Sequence, residues 1–540
     1  MFCGRRRHLR KKLLALYGSN PLDAQTAEQT REDMDQIRVY YDESQSNPYV
    51  DEITWDDLEM DEVFLRINQT KSYVGEQVLY KRLHEADASC DWEQWETIIE
   101  ACDADVDKRL ALEEQLVGIG KRDEDYYMPV FLRNLDALKI PCGFLYHILQ
   151  AALLITGFMG VFTQESIWLC ACLGIAVVNL AFYTLTKQKY ESFLYSLVSI
   201  KQIVSFCERI GKDRDWSHLN DTTRLADDTK YFKWFSRLVG SFQVRKHSLT
   251  AWNELSFLQD YVLGISLYDI SMYNHLLRIL KRHVDKVWHL YEFVGSMDMA
   301  ISVASFRRSK QKVCIPKICP DGGIDMRGVY HPLLEDAVVN DFSLEKHAII
   351  TGANASGKST FMKAVAINVI LAQTIHTCTA EAFHLPAVSV MSSMALRDDI
   401  VSGESYYVRE VRYLKRMLNA LWDGKQYLFV IDEIFKGTNT RERMAASLSM
   451  LQYLQNRNCQ VIVATHDIKL AEELKEGYTC YYFDSHMEQA DIRFDYKLRR
   501  GIGGTTNAID LLTCFGFPDT IVVYAKQALE HGSLIHEKRE

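Results

Sequence analysis

The stretch "HAIITGANASGKST", from His347 to Thr360, leaves the chain little freedom in what it can become. A strand-forming run meets Gly352, four residues follow, and then come Gly357, Lys358 and Ser359 ahead of helix-forming residues. Glycines at both ends let the backbone curl until its amides converge, and the following helix adds its positive end. The result is a cradle for nucleotide phosphates, and it requires a strand before it and a helix after it, so an α/β sheet is expected here. Gly352, Ala353, Asn354, Ala355, Ser356, Gly357, Lys358, Ser359 and Thr360 are the expected ATP-binding residues. Lys358 is expected on the β- and γ-phosphate oxygens and Ser359 on Mg²⁺.

About 70 residues further on, "YLFVIDEIFKGTNT" supplies a second apolar strand, Tyr427 to Ile431, ending in the carboxylates of Asp432 and Glu433. Ligands of an α/β sheet bind outside the carboxyl ends of its strands. Asp432 is therefore the expected Mg²⁺ residue, and Glu433 the base that polarises the attacking water. A third strand, "CQVIVATHD", ends in His466, the expected γ-phosphate sensor. Alone, an acidic pair after a strand is ordinarily a solvated turn, and a single histidine is ordinarily structural. Their order behind the glycine loop is what makes them a candidate site for ATP hydrolysis.

A different constraint comes from residues 140–186. No charged residue occurs from Ile140 to Gln164, with His147 taken as neutral, and after Glu165 the apolar run resumes from Ser166 to Thr186. At ~1.5 Å of rise per residue, about 20 residues cross the ~30 Å hydrocarbon core, so each run is long enough to span a bilayer. Lys139 precedes the first run, and Lys187 and Lys189 follow the second, which sets both ends in the cytoplasm. Gln150 and Asn179 are expected to hydrogen-bond between the two helices. The segment reads as an anchor in the cytoplasmic membrane, with the termini and the nucleotide site on the cytoplasmic side; the alternative is a buried helical hairpin.

The rest divides by pattern. Residues 1–49 hold a basic stretch, "MFCGRRRHLRKKLLALYGSN", and a polar linker; the basic stretch reads either as a surface helix or as a segment lying on anionic lipid. Residues 50–138 and 188–311 carry apolar positions at three and four, the period of helices, and residues 139–187 form the hairpin between them. Prolines, glycines and β-branched runs mark residues 312–540 as the nucleotide-binding domain. A net charge of −10 provides no global field for nucleic acid, although Arg278, Lys281, Arg282 and Lys286 share one helical face. Thirteen cysteines are scattered, and the closest pairs, Cys170/Cys172 and Cys314/Cys319, lack zinc-site spacing, so reduced thiols and no zinc are expected.

From about Tyr330 to Ala528 the chain resembles the ATPase domain of the MutS family of DNA mismatch-repair proteins. "TGANASGKST" is similar to the family's TGPNMGGKST, "DDIVSGESYYVREVRYLKRML" to its signature segment, "DEIFKGTNT" to DEIGRGTST, and "ATHD" to its THY motif. "YKLRRGIGGTTNAIDLLTCFGFP" resembles the stretch that follows. The resemblance implies a P-loop ATPase domain of the ABC/MutS type, preceded by an all-α core and lever that the transmembrane hairpin interrupts. It implies a homodimer in which Ser402, Gly403 and Ser405 complete the partner's site, and it makes DNA the expected partner alongside the bilayer. Tyr330, His331 and Asn340 stand where it implies adenine contacts, and Glu410 stands for the family's acidic residue in the signature helix.

"LEMDEVFLRINQTKSYVGEQVLYKRLHEA" and "LYEFVGSMDMAISVASFR" resemble the opening of the family's helical core and its returning helix. Ala353 and Ala355 replace proline and methionine in the loop, and Phe435 and Lys436 replace Gly-Arg after the carboxylates. About fifty residues precede the core, too few for the family's mismatch-reading and connector domains, and mismatch recognition is not expected. Two other functions compete: an ATP-driven membrane transport or gating protein, and an ATP-binding scaffold for a protein partner.

Overall fold

A computed structural model describes the chain apart from residues 1, 25–33, 45–48, 87–90, 141–142, 214–215, 217–221, 241–263, 321, 354–355, 395–405, 489–490, 504–508, 510–511, 514–515 and 531–540. It contains two compact units that do not follow each other along the chain. The first takes Met1–Gln45, Ile67–Lys81 and Cys90–Phe306; the second takes Ser46–Arg66, Arg82–Ser89 and Arg307–Glu540.

The first unit is helical, as the three-and-four periodicity requires. Helix Val284–Arg308 is buried from Val287 to Phe306 on nearly every side. Two glycines let helix Tyr73–His84 approach it closely: a Cβ on Gly295 would lie 2.2 Å from Val78 Cγ2, and one on Gly75 would lie 2.3 Å from Asp298 Oδ2. The buried Asp298 carboxylate accepts from the backbone N–H groups of Lys71 (2.9 Å) and Ser72 (2.8 Å) and from the Ser72 hydroxyl (2.5 Å). It thereby satisfies donors at the start of helix Tyr73–His84 that no intrahelical carbonyl reaches.

Helix Phe2–Leu16 docks on helix Val106–Ile119 through Arg6 and Arg10, both bonded to Glu114, and through the buried Leu13. The basic stretch is thus a surface helix in contact with protein. Lys281 pairs with Asp136, and Lys286 pairs with Asp228 at 2.5 Å, so two of the four cations on the expected basic face are neutralised by acids from other segments.

Helices Gly143–Thr163 and Ser166–Ile210 contain stretches long and apolar enough to cross a membrane. Many of their apolar side chains point outward, with Phe158 69%, Val161 78% and Leu185 79% exposed. Gln150 and Asn179 do not bond across the hairpin as expected. Gln150 donates to the backbone carbonyl of Ser266 (2.9 Å) and Asn179 to that of Ile265 (2.7 Å).

The second unit holds two sheets. Strands β1 (Lys317–Ile318), β2 (Ile324–Val329), β3 (Asn340–Leu344) and β5 (Ala382–Leu385) form one, in the order β1-β5-β2-β3. The other contains β4 (His347–Thr351), β6 (Ser389–Ser393), β7 (Tyr427–Asp432), β8 (Cys459–Thr465), β9 (Thr479–Glu488) and β10 (Asp491–Arg500), in the order β10-β9-β4-β8-β7-β6. From β9 to β6 every pairing is parallel, and β10 closes one edge antiparallel. All five residues of β4 are buried, as expected of a strand covered on both faces. Alternate residues of β7 and β8, Phe429, Ile431, Val461 and Val463, share a core with Leu414, Leu451 and Leu470 from the surrounding helices. Helix Lys358–Thr374 packs against β6, β7 and β8.

The opposite edge strand, β6, is covered by residues 50–57. Val50 forms a parallel bridge with Val390, Thr54 Oγ1 accepts from Ser392 N (3.0 Å), and Asp57 accepts from Ser392 Oγ (2.7 Å) and Met394 N (2.8 Å). Periodicity alone assigns this segment to the helical core; its hydrogen bonds put it with the sheet. Asp57→Ala leaves a buried hydroxyl and a buried amide without an acceptor and is expected to destabilise the second unit by about 2–4 kcal/mol. Urea unfolding followed by hydrogen exchange at residues 389–394 measures this, and an unchanged midpoint would contradict it.

Candidate nucleotide site

The register of the parallel sheet brings the expected site together. Thr351 at the end of β4 lies beside Thr465 of β8, and Asp432 of β7 lies beside Ala464. The glycine loop, the acidic pair and His466 therefore leave the sheet at one level along its carboxyl edge.

In the loop, Gly352 and Gly357 have φ of +150° and +98°, backbone values that side chains strain against. A Cβ on Gly357 would come 3.0 Å from the Tyr496 ring, and one on Gly352 would come 2.9 Å from the Phe483 carbonyl. Strands β9 and β10 thus crowd the loop from the side. Thr351 Oγ1 adds a bond to the Gly503 carbonyl (2.7 Å). The buried Lys358 ammonium donates to the carbonyls of Gly352 (2.7 Å) and Ala353 (2.8 Å). Burial lowers its pKa, and the charges of Glu433 and Asp432 oppose that shift. The Ser356 hydroxyl is buried with no hydrogen-bond partner among the described residues, while Ser359 and Thr360 are exposed. Asn354 and Ala355 lie outside the described residues, as do Ser402, Gly403 and Ser405.

Ser359 Oγ donates to Asp432 Oδ2 at 2.5 Å, so the two expected metal residues are already in contact. His466 Nδ1 lies 3.0 Å from Glu433 Oε1, and Lys436 Nζ lies 3.5 Å from Glu433 Oε2. Burial pushes the Glu433 carboxyl up, but the His466 hydrogen bond and the charges of Lys436, His466 and Lys358 outweigh it and hold the group below its ordinary value. Glu433 is thus held ionised between two nitrogen-bearing side chains.

Aiming that carboxylate takes an unusual backbone. Glu433 and Phe435 have φ of +55° and +58°, and each left-handed non-glycine residue costs roughly 1–3 kcal/mol. The turn is held by Glu433 N donating to Ala464 O (3.0 Å), and by Glu410, whose buried carboxylate accepts from Lys436 N (3.0 Å) and Gly437 N (3.4 Å). Burial raises the Glu410 pKa against those hydrogen bonds. Sequence reasoning placed Glu410 only by resemblance and read Lys436 only as a departure. The sign of charge beside Glu433 was the available signal for Lys436.

The residues expected at the adenine are engaged within the fold. Tyr330 donates from its hydroxyl to Lys312 O (2.7 Å). His331 is buried, and desolvation lowers its pKa to about 4. Asn340 bridges to β10, donating to Tyr496 O (3.0 Å) and accepting from Leu498 N (2.8 Å).

The same part of the chain matches known proteins. Residues 348–532 match the family described as MutS domain V. The DNA mismatch repair protein MutS of Pseudothermotoga lettingae is 27% identical over 271 residues, 48% of this chain and 33% of the relative. That of Natronomonas pharaonis is 31% identical over 248 residues, 44% of this chain and 28% of the relative. DNA mismatch repair protein MutS 2 of Haloarcula marismortui is 27% identical over 275 residues, 45% of this chain and 29% of the relative. The chain thus spans about a third of the length of these relatives. Through these carboxyl-terminal residues, which hold the loop, the acidic pair and the histidine, the chain is similar to proteins of the MutS family.

Proposed function

We propose that the protein is a membrane-anchored, dimeric ATPase whose nucleotide cycle opens and closes its helical arms on DNA. The observation that carries the reading is the convergence of Lys358, the Ser359–Asp432 pair and the Glu433–His466 pair at one sheet edge. The loop fits a triphosphate: its glycines hold conformations only glycine adopts easily, and the Ser356 hydroxyl is buried without a partner among the described residues. Ser359 and Asp432 offer the oxygen donors that suit Mg²⁺. Ser359 and Asp432 would hold the ion, which would supply charge neutralisation for phosphoryl transfer. Lys358 exchanges two loop carbonyls for phosphate oxygens. Glu433, kept ionised by its neighbours, orients and polarises the attacking water, and its hydrogen bond to His466 couples that base to the terminal phosphate. The resemblance implies that Ser402, Gly403 and Ser405 act on the partner subunit's nucleotide.

DNA enters through the relatives, which are DNA mismatch repair proteins by name. The membrane enters through the outward apolar surface of the hairpin. One observation favours a second reading, in which nucleotide closure moves the hairpin itself. Helix Ser166–Ile210 runs unbroken for 45 residues from the apolar stretch into the helical unit, so displacement at one end is transmitted to the other.

Lys358→Ala is expected to weaken ATP binding by about 10- to 100-fold, the loss of a charged hydrogen bond. Glu433→Gln is expected to keep binding but slow turnover by about 100-fold or more. Equilibrium nucleotide binding and single-turnover hydrolysis separate the two effects, and wild-type turnover by either variant would refute the site. A chain lacking residues 140–186 should leave the membrane fraction on flotation; if it stays, the anchor lies elsewhere. Turnover by the purified dimer should rise with duplex DNA, and the stimulation should fade as salt increases, because phosphate contacts release counterions. Intact basal turnover with no response to DNA at any salt would remove DNA and leave the hairpin-moving reading.

A further inference from the structure

The thiols of Cys314 and Cys378 are 64 positions apart in the sequence and directly opposite each other in the fold. They form an isolated antiparallel bridge in which each donates its backbone N–H to the other's carbonyl, both at 3.0 Å. Residues paired in this way have Cα atoms about 5.5 Å apart, within the ~4.4–6.8 Å range that a disulfide spans, and their side chains lie on the same face. The Cys378 thiol donates to the Asn368 carbonyl at 3.7 Å.

We propose that Cys314 and Cys378 are a reversible oxidation site, closing to a disulfide when the protein meets a hydroperoxide. The two sulfurs divide the work by environment. Cys314 is half-buried, whereas Cys378 is fully enclosed. Contact with Cys378 holds the Cys314 thiol below its ordinary value, against burial and with help from the Arg307 charge. Burial, together with the same contact, pushes Cys378 well up. The Cys314 thiolate attacks the peroxide O–O bond, becoming a sulfenic acid as hydroxide leaves. The Cys378 sulfur then displaces the sulfenic oxygen, which leaves as water with the Cys378 proton. The protein loses two electrons and hydrogen peroxide is reduced to two waters; a dithiol reverses the change.

The bond would fasten two segments of the second unit, one of which follows the phosphate-loop helix. Cys314 lies between helix Val284–Arg308 and β1, and Cys378 lies between the phosphate-loop helix Lys358–Thr374 and β5. Arg307 already ties the same places, donating to Thr377 Oγ1 and to the His376 carbonyl, both at 2.9 Å. Oxidation makes this polar junction covalent.

The test treats the purified full-length chain with a small excess of hydrogen peroxide under native conditions. It is then alkylated, digested without reductant and mapped by mass spectrometry, with thermal unfolding measured in parallel. The expected product joins the peptides of Cys314 and Cys378. The thermal midpoint of the second unit is expected to rise by about 5 °C and to return with dithiothreitol, since a link closing a long loop restricts the unfolded chain. Cys314→Ser, at a half-exposed position, should lose both signals. Cys319→Ser, altering an exposed cysteine five residues away, should keep both. Recovery of Cys314 as the free thiol, as a sulfinic acid or bonded to Cys319 would overturn the proposal, as would a midpoint shift that persists in Cys314→Ser.

Discussion

The in-register parallel pairing of β4 with β8, and of β8 with β7, is the constraint on which the candidate nucleotide site depends. Each strand contributes its chemistry only at its carboxyl end, so Lys358, Asp432, Glu433 and His466 meet only if those ends stand level. Burial enforces that register. A slip of one residue would exchange Phe429, Ile431, Val461 and Val463 for their neighbours facing the other side of the sheet. Hydrophobic packing thus sets, through the register, where the carboxylates and the lysine sit.

The site then uses that rigidity to hold what an isolated peptide would not. Left-handed Glu433 and Phe435 are affordable because β8 anchors the turn from one side and Glu410 from the other. Glu410 is itself a cost, a buried carboxyl group that accepts from backbone amides of the turn while burial raises its pKa. The same logic recurs in the helical unit. Asp298 is buried so that helix Tyr73–His84 can begin, and Gly75 and Gly295 give the two helices room to meet. Both units place an acid where backbone N–H groups would otherwise lack acceptors.

The loop and its two companions were legible because each is a local pattern: glycine spacing, an apolar strand ending in two acids, and a strand ending in histidine. The hairpin was legible because charge is absent over two long runs. Other expectations turned on which distant groups share a space. Gln150 and Asn179 were expected to bond across the hairpin, and instead each holds a carbonyl of residues 265–266. Arg278, Lys281, Arg282 and Lys286 read as sharing one helical face, and Asp136 and Asp228 pair with two of them, Lys281 and Lys286. Residues 50–57 read as helical core, and they cover the edge of β6.

The sequence by itself determined the class of the second unit, the chemistry of its loop and the apolar character of the hairpin, because spacing, glycine and hydropathy act over a few neighbouring residues. Only the tertiary structure decided that Ser359 touches Asp432, that His466 bonds Glu433, and that Cys314 faces Cys378. Those contacts join residues separated by tens of positions, and they are set by strand order and register, which no local stretch of sequence contains.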